Sequence, residues 1–435
     1  MNDKLFSFSS EYTRQSAQTL SKAFESCHFY RNWQNFDPGE ARTIDERFAA
    51  LPMLTKNDIR ENFPAGFVPQ GRDLEEALAK KEIEYVATSG TTEEKVTNIW
   101  NQRWWDLSER ASWRLNKHLA AVATGEHREA ILTSAKSVGF LSDDKDLPLD
   151  ERRLARFLYL NEKSGPHLWH KQHYQRMIDD LAAFKPEVLE ANPSYLSRLC
   201  FWALKNNMRI FQPKAVVLTY ELPLAGQLDL IKRCFDVPCV SSFGSTETGY
   251  VFIECEHGRL HQNSDYCRID FEPFDQKHGG PLLGRGLVTT FHNEWYQLVR
   301  FDTGDVLRLA QHKCQCGRSN GYFLQSVEGR FSYCTRGVSG RLVTPVELDR
   351  VLFKAGNLWS YQLLQMNENK YLLRLPLSRS DNIAASLIVA LKFIYGKGAR
   401  IAFEFNADIV PGPSGKYIYS QSRLPLEIKD FLARQ

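Results

Sequence analysis

The chain of 435 residues contains no long hydrophobic run. Nothing in it approaches the roughly 18 consecutive apolar residues of a membrane-spanning helix, so no span is expected. Its start, MNDKLFSFSSEYTR, lacks a basic stretch followed by an apolar one, and a secretory leader is not expected either. Excess charge of one sign is also missing. The 55 Lys and Arg against 52 Asp and Glu leave a net charge of +3, too mild to indicate nucleic acid or an acidic membrane as partner. Low-complexity tracts and internal repeats are absent, which excludes solenoids and arrays. The Walker pattern GxxxxGK[ST] is absent too. The nine cysteines are odd in number and mostly scattered, which speaks against a disulfide framework and for a reducing, cytoplasmic location.

What remains is an ordinary soluble composition, 43% hydrophobic and 25% charged. The length exceeds what one core usually serves, so two or three domains are expected. Residues 9–27 have apolar positions at helical spacing. In LPMLTKNDIRENFP (51–64), Thr55 is placed to cap a short helix, with Asp58 at its third position. Strand and helix patterns then alternate. Strands are predicted at 82–88, 127–134 and 214–221, helices over 104–124, 172–184 and 224–236, and a strand, turn and helix in succession over 188–204. This alternation predicts an α/β domain with a largely parallel sheet, whose functional groups gather at strand ends. From about residue 252 short strands joined by turns predict a β-rich subdomain, to about 328. Beyond 330 the pattern is α+β for about 100 residues, a separate small lid domain over 331–435.

Several short segments carry candidate chemistry. TSGTT (88–92) offers hydroxyls and closely spaced N–H groups able to cradle phosphate, although alone it reads as a surface turn. In SSFGSTETG (241–249), Glu247 stands in a glycine-bounded turn after a strand. A carboxylate there suits Mg2+, and Phe243 suits a flat base. In RFDTGDV (300–306) two acids flank a Thr-Gly turn. PGPSGK (411–416) presents Lys416 on a Pro/Gly loop, where a cation can meet developing negative charge. Cys255, His261, Cys314 and Cys316, from CEHGRLH and CQCGR, form a Cys3His set suited to tetrahedral zinc, with His257 as the alternative nitrogen. HLWHKQH (167–173) spaces three histidines along one helical face, with no acid or cysteine nearby in sequence to complete a site.

In order and spacing, these segments resemble the adenylate-forming (acyl-CoA synthetase) superfamily, in particular its phenylacetate-CoA ligase-like and coenzyme F390 synthetase-like branch. HFYRNW, LPMLTKNDIRENF, TSGTT, KPEVLEANPSYL (185–196), TYEL (219–222), FGSTE (243–247), LVRFDTGDV (298–306), VEGR (327–330) and SGK (414–416) carry the resemblance over nearly the whole chain. It implies a large N-terminal adenylation domain, 1–330, and a mobile C-terminal lid, 331–435. It also implies a two-step reaction. A carboxylate attacks the α-phosphate of ATP to give acyl-AMP and pyrophosphate, and a thiol then takes the acyl group. On the resemblance, Thr88, Ser89, Gly90, Thr91 and Thr92 hold the β- and γ-phosphates. Glu247 binds Mg2+ and Thr246 contacts the α-phosphate. Phe243 and Gly244 face the adenine with Tyr220 and Glu221 beside it, and Asp305 takes the ribose hydroxyls. Arg330 opens the hinge, and Lys416 reaches in from the lid. The Cys3His set is implied to be a structural Zn2+ site, and a homodimer is expected from the resemblance only.

Two departures stand out. After SGTT the chain continues Glu93-Glu94-Lys95, where the branch usually keeps glycine and a cation. At the hinge, Ser332 stands where an acid is usual. The reading is therefore an acid-thiol ligase acting on an aryl or small hydrophobic acid, its acyl pocket between NPSYL and the loop around TYEL. The acceptor is CoA or the phosphopantetheine of an acyl carrier protein. The alternative is a catalytically weak nucleotide- or acyl-AMP-binding protein of the same fold.

Overall fold

A computed structural model describes residues 5–87, 96–122 and 125–433. They group into two compact units. One comprises Met1–Gly125, Ser242–Pro273 and Pro281–Ser326, the other Glu126–Ser241, Phe274–Gly280 and Val327–Gln435. The chain thus passes between units within the strands Cys239–Ser245 and Phe323–Arg330.

The first unit begins with the helix Ser10–Ser26, whose cap Ser9 accepts a hydrogen bond from the Tyr12 N–H. Thr55 and Asp58 form a complete capping box at the helix Lys56–Asn62, as their spacing predicts. The core of this unit gathers Tyr30, Trp33, Phe48, Leu54, Phe67 and Leu298. Tyr30 is buried without an unmet hydroxyl: it donates to the Gln297 carbonyl and accepts from the Val299 N–H, each at 3.0 Å. The predicted β-rich subdomain is present. Antiparallel pairings join Cys267–Pro273 to Leu283–Thr290, the latter to Phe301–Leu309, and Leu260–Gln262 to both Gly249–Glu254 and Phe323–Arg330.

Two local expectations are corrected here. The stretch 104–124 is not one helix: it breaks into Gln102–Trp113 and Lys117–Ala120. Asn116 stops the first by capping the second, its side chain accepting from the N–H groups of His118 and Leu119. The FDTGD segment is not a turn between strands but lies inside the strand Phe301–Leu309. Register shifts there, so that Thr303, Gly304 and Asp305 face the single residue Gly286. Such a bulge re-aims side chains within a ladder.

The second unit is built on a parallel sheet. Phe157–Tyr159, Glu129–Leu132, Val188–Ala191, Ala215–Leu218 and the start of Cys239–Ser245 pair in that order, and the short antiparallel Arg153–Leu154 closes one edge. The three central strands are buried along their whole length, as their near-continuous apolar sequences require. Helices Lys171–Phe184, Pro193–Lys205 and Ala225–Cys234 cover the sheet. Lys185 adopts φ 52°, a left-handed stop just before Pro186.

The final hundred residues form a four-stranded sheet ordered Arg400–Glu404, Lys370–Arg374, Gln362–Gln365, Ser420–Ser422, with helices Pro345–Gly356 and Asp381–Tyr395. The polar strand Ser420–Ser422 pairs in parallel with Gln362–Gln365 and has no apolar signature in the sequence. Buried residues of this region, among them Leu348, Leu363, Leu373 and Leu391, belong to the same core as Leu132, Leu189 and Val216. No helix among the described residues is long and apolar enough to cross a membrane.

Candidate active site

The phosphate-loop candidates Thr88, Ser89, Gly90, Thr91 and Thr92, with the unusual Glu93-Glu94-Lys95, lie outside the described residues. The other candidates fall on both units and are described unit by unit.

In the first unit the FGSTE segment forms the tip of the hairpin between Cys239–Ser245 and Gly249–Glu254. Gly244 is dictated by close approach: a Cβ there would meet the Gly249 carbonyl oxygen at 2.2 Å. The tip is tightened by Ser245, whose carbonyl accepts from the Thr248 N–H at 3.2 Å. Glu247 is buried at this tip, 5% exposed, while Phe243 and Thr246 are half-buried. Among the described residues a cation meets this carboxylate: Lys56 Nζ lies 3.8 Å from Glu247 Oε1. Sequence reasoning missed Lys56. Its position in the first turn of a well-capped helix was legible, but the acid it faces is 191 residues away along the chain.

The bulge separates the two acids of the DTGD segment. Asp302 is committed to the fold: it accepts from the Gly304 N–H at 2.8 Å and pairs with Arg285 at 3.2 Å. Arg285 in turn holds Glu272 at 2.6 Å, and Arg300 holds the other oxygen of Glu272 at 2.8 Å. Asp305 stays out of this cluster and is half-buried.

In the second unit, the NPSYL segment starts the helix Pro193–Lys205. Asn192 caps it by accepting from the N–H groups of Ser194 and Tyr195. The TYEL segment does lie against it, because Ser194 donates to the Glu221 carboxylate. Tyr220 is held at φ 72° and its hydroxyl donates to Glu190. The lysine loop meets these elements and the short helix Ala135–Val138, which carries Lys136. The Tyr195 hydroxyl donates to the Gly415 carbonyl at 3.0 Å, Lys136 donates to the Pro413 carbonyl at 3.1 Å, and the Tyr417 N–H donates to Glu221 at 2.9 Å. Lys416 is half-buried, and its charge acts on Glu221. Arg330 ends the strand Phe323–Arg330 and caps the turn Phe331–Tyr333. Ser332 within it is exposed. An open cleft of about 370 Å³ lies farther along the helices, lined by Phe201, Lys205, Gly226, Arg233 and Trp359, and includes no residue of NPSYL or TYEL.

The four zinc candidates come together in the first unit. The ligand atoms of Cys255, His261, Cys314 and Cys316 all lie within 4.8 Å of one another. Cys255 Sγ is 3.6 Å from Cys314 Sγ, and Cys316 Sγ is 3.3 Å from His261 Nε2. Tetrahedral zinc with ordinary bond lengths separates two sulfurs by about 3.8 Å and a sulfur from a nitrogen by about 3.6 Å, so the set fits. Burial pushes His261 down to about 4, leaving the neutral imidazole that can ligate. His257 is exposed; its backbone N–H instead donates to Cys255 Sγ at 3.4 Å.

The histidine run resolves differently. Only His173 faces acids, and they come from distant sequence: Asp146 and Glu162 lie 3.6 and 3.8 Å from its Nδ1. A cation already occupies the space. Lys163 Nζ is 3.0 Å from Asp146 and donates to the Ser142 and Lys145 carbonyls, while Arg176 pairs with Glu162 at 2.6 Å. This is an internal charge cluster rather than a metal centre.

No family model matches the chain. A phenylacetate-coenzyme A ligase from Thermus thermophilus is 25% identical over 316 residues, which cover 69% of this chain and 65% of that protein. The chain therefore aligns with slightly less than two thirds of that relative's length. A 2-hydroxyisobutyryl-CoA ligase, solved in the postadenylation state with 2-HIB-AMP, superposes with a TM-score of 0.67 at 18% identity, over 92% of this chain and 87% of that one. The chain has the adenylate-forming ligase fold. The same 2-hydroxyisobutyryl-CoA ligase in an open conformation, with 2-HIB-AMP and CoA, superposes less closely, at a TM-score of 0.59, 17% identity, and 92% and 88% coverage. An anthranilate CoA ligase with anthranoyl-AMP reaches 0.50 at 14% identity, covering 77% of this chain and 65% of that one. The α/β architecture expected from the motif order is thus the observed one.

Proposed function

We propose that the protein is an AMP-forming acid-thiol ligase. It adenylates an aryl or other small hydrophobic carboxylic acid and passes the acyl group to a thiol, that of CoA or of carrier-protein phosphopantetheine. The observation that carries this reading is the lysine loop around residues 411–417, seated on the NPSYL and TYEL segments by hydrogen bonds at Tyr195 and Glu221 and held also by Lys136. A lysine held at strand ends of a parallel sheet is placed where such folds bind ligands.

Adenylation brings two anions together and adds charge in the transition state, so fixed cations and donors lower its barrier. Lys416 supplies such a cation to the carboxylate and α-phosphate oxygens, and Thr246 supplies a hydroxyl to the α-phosphate. Asp305 accepts the ribose hydroxyls, Phe243 and Tyr220 are the aromatic residues offered to the base, and residues 88–92 hold the terminal phosphates. Glu247 is the residue that would hold Mg2+, whose charge offsets that of the phosphates. Lys56 stands ready to neutralise Glu247 when no metal is bound. Residues 331–435 act as a lid that turns about the segment after Arg330 between the two half-reactions. Cys255, His261, Cys314 and Cys316 would hold a structural Zn2+ that pins the β-rich subdomain.

The test is ATP–pyrophosphate exchange across a panel of aryl and short-chain acids, followed by thiol acceptors. Acid-dependent exchange supports the ligase. Binding of ATP without exchange for any acid would overturn it in favour of a nucleotide-binding protein of the same fold.

A further inference from the structure

The residue after the lysine is held by a network of buried polar groups. Glu221 accepts from the Tyr417 N–H at 2.9 Å through one oxygen and from Ser194 through the other. Ser194 shares a 2.7 Å hydrogen bond with the Tyr419 hydroxyl, which also accepts from Gln227 at 2.7 Å. Ser194 and Gln227 are completely buried. The Arg198 guanidinium lies 4.0 Å over the Tyr417 ring, and the Tyr417 and Tyr419 rings stack at 5.9 Å and 12°. Residues 417 and 419 therefore share one face of an extended segment, and the alternation of such a segment sends Lys416 to the other.

Among the described residues Glu221 is the carboxylate of this network, and it joins the C-terminal segment to the loop after Ala215–Leu218 and the helix Pro193–Lys205. Hydrogen bonds to a charged acceptor are stronger than those to a neutral one. Glu221 is also only half-buried, so water can replace the Tyr417 N–H when the loop leaves. The tie is thus strong while made and reversible without stranding a buried charge. With the loop docked over it, the partial burial of Glu221 pushes its carboxyl up, and the Ser194 hydrogen bond and the Lys416 charge pull against that.

We propose that Glu221 is a positioning residue for Lys416: by taking the Tyr417 N–H it latches the lysine loop in the adenylating arrangement and releases it for thiol transfer. This rests on the ligase reading above. It assigns Glu221 a role other than the adenine-side one that sequence resemblance implies, and the two roles differ in their kinetics.

The experiment uses the full chain with Glu221→Ala, Glu221→Gln and Ser194→Ala. Hydrogen exchange of peptides covering 411–422 is expected to speed up about tenfold in Glu221→Ala, the effect of losing one good hydrogen bond. Glu221→Gln, which keeps an acceptor oxygen, lies between it and the parent, and Ser194→Ala shifts in the same direction by less. Exchange in the helix Pro193–Lys205 stays as in the parent, which controls for folding. In pyrophosphate exchange, Glu221→Ala lowers kcat about tenfold with the KM for ATP unchanged, while transfer from supplied acyl-AMP to thiol is kept. Unchanged hydrogen exchange over 411–422 overturns the latch. So does equal loss in both half-reactions, or a raised KM for ATP with kcat preserved, which is the signature of an adenine contact. If the parent protein shows no pyrophosphate exchange with any acid, the ligase reading fails, and the hydrogen-exchange arm alone decides the latch.

Discussion

Gly415→Ala is the perturbation to which the lysine loop is most sensitive. Gly415 sits at φ +80°, and a Cβ on it would lie 2.0 Å from Ser134 Oγ and 2.3 Å from Ser134 Cβ. Left-handed backbone costs an ordinary L-residue about 1–2 kcal/mol. The clash is far inside van der Waals contact and falls on a buried side chain, itself fixed by donating to the Ser164 carbonyl at 2.9 Å. The loop can escape only by lifting off, against the Tyr195–Gly415 hydrogen bond that holds it. Overpacking of this kind adds at least about 1 kcal/mol to the backbone term, so docking is weakened by about 2–3 kcal/mol and adenylation should fall roughly 30- to 150-fold. The strain is confined to the loop, so the urea midpoint should move little. The steric part can be removed separately. In Gly415→Ala/Ser134→Gly the offending atoms are gone and only the backbone term remains, so roughly fivefold of the loss should return, measured against Ser134→Gly alone. Pyrophosphate exchange by Gly415→Ala within twofold of the parent would refute the reasoning, as would a double variant no better than the single one.

Three further outcomes are expected. Lys416→Ala should reduce adenylation by at least about a hundredfold with ATP affinity nearly unchanged, because its charge acts on the transition state; pyrophosphate exchange beside an ATP titration reports both, and unaltered exchange removes the role. Purified protein should carry roughly one zinc per chain and Cys314→Ser close to none, since the loss of one thiolate opens a closed tetrahedral set; elemental analysis decides, and a zinc-free parent protein disposes of the site. His173 bears on acid stability. Burial lowers it from 6.5 to about 4, with Arg176 adding to the effect and Glu162 and Asp146 opposing it. Between these values the unfolded chain binds a proton that the folded one does not, so stability is lost as pH falls, by about 2 kcal/mol from pH 7 to pH 5. His173→Gln should show a correspondingly shallower decline in urea unfolding over that range, and an identical slope would exclude His173 as its source.

Much of the fold was legible because its signals are local. Thr55 and Asp58 announce a helix start through a hydrogen-bonding box that spans four residues, and AVVL at 215–218 reads as a buried strand by its own composition. The gathering of CEHGRLH and CQCGR into one Cys/His cluster was legible as well. The misreadings were at places where a distant partner sets local shape. DTGD looked like a turn because Gly304 signals positive φ, but its neighbours are pinned by the strand Leu283–Thr290, so the positive φ makes a bulge instead. The polar SQS at 420–422 becomes a strand only because Gln362–Gln365 offers an edge to it.

The amino-acid sequence thus determined the kinds of element, their caps and the inventory of chemical groups, since each follows from a few neighbouring side chains. Tertiary structure alone decided who meets whom. It set Lys56 against Glu247, chose His261 over His257 for the cysteine cluster, committed Asp302 to Arg285, and bound Glu221 to the residue after the lysine. These pairs are tens to hundreds of residues apart, and their geometry depends on sheet register and helix packing, which no local pattern encodes.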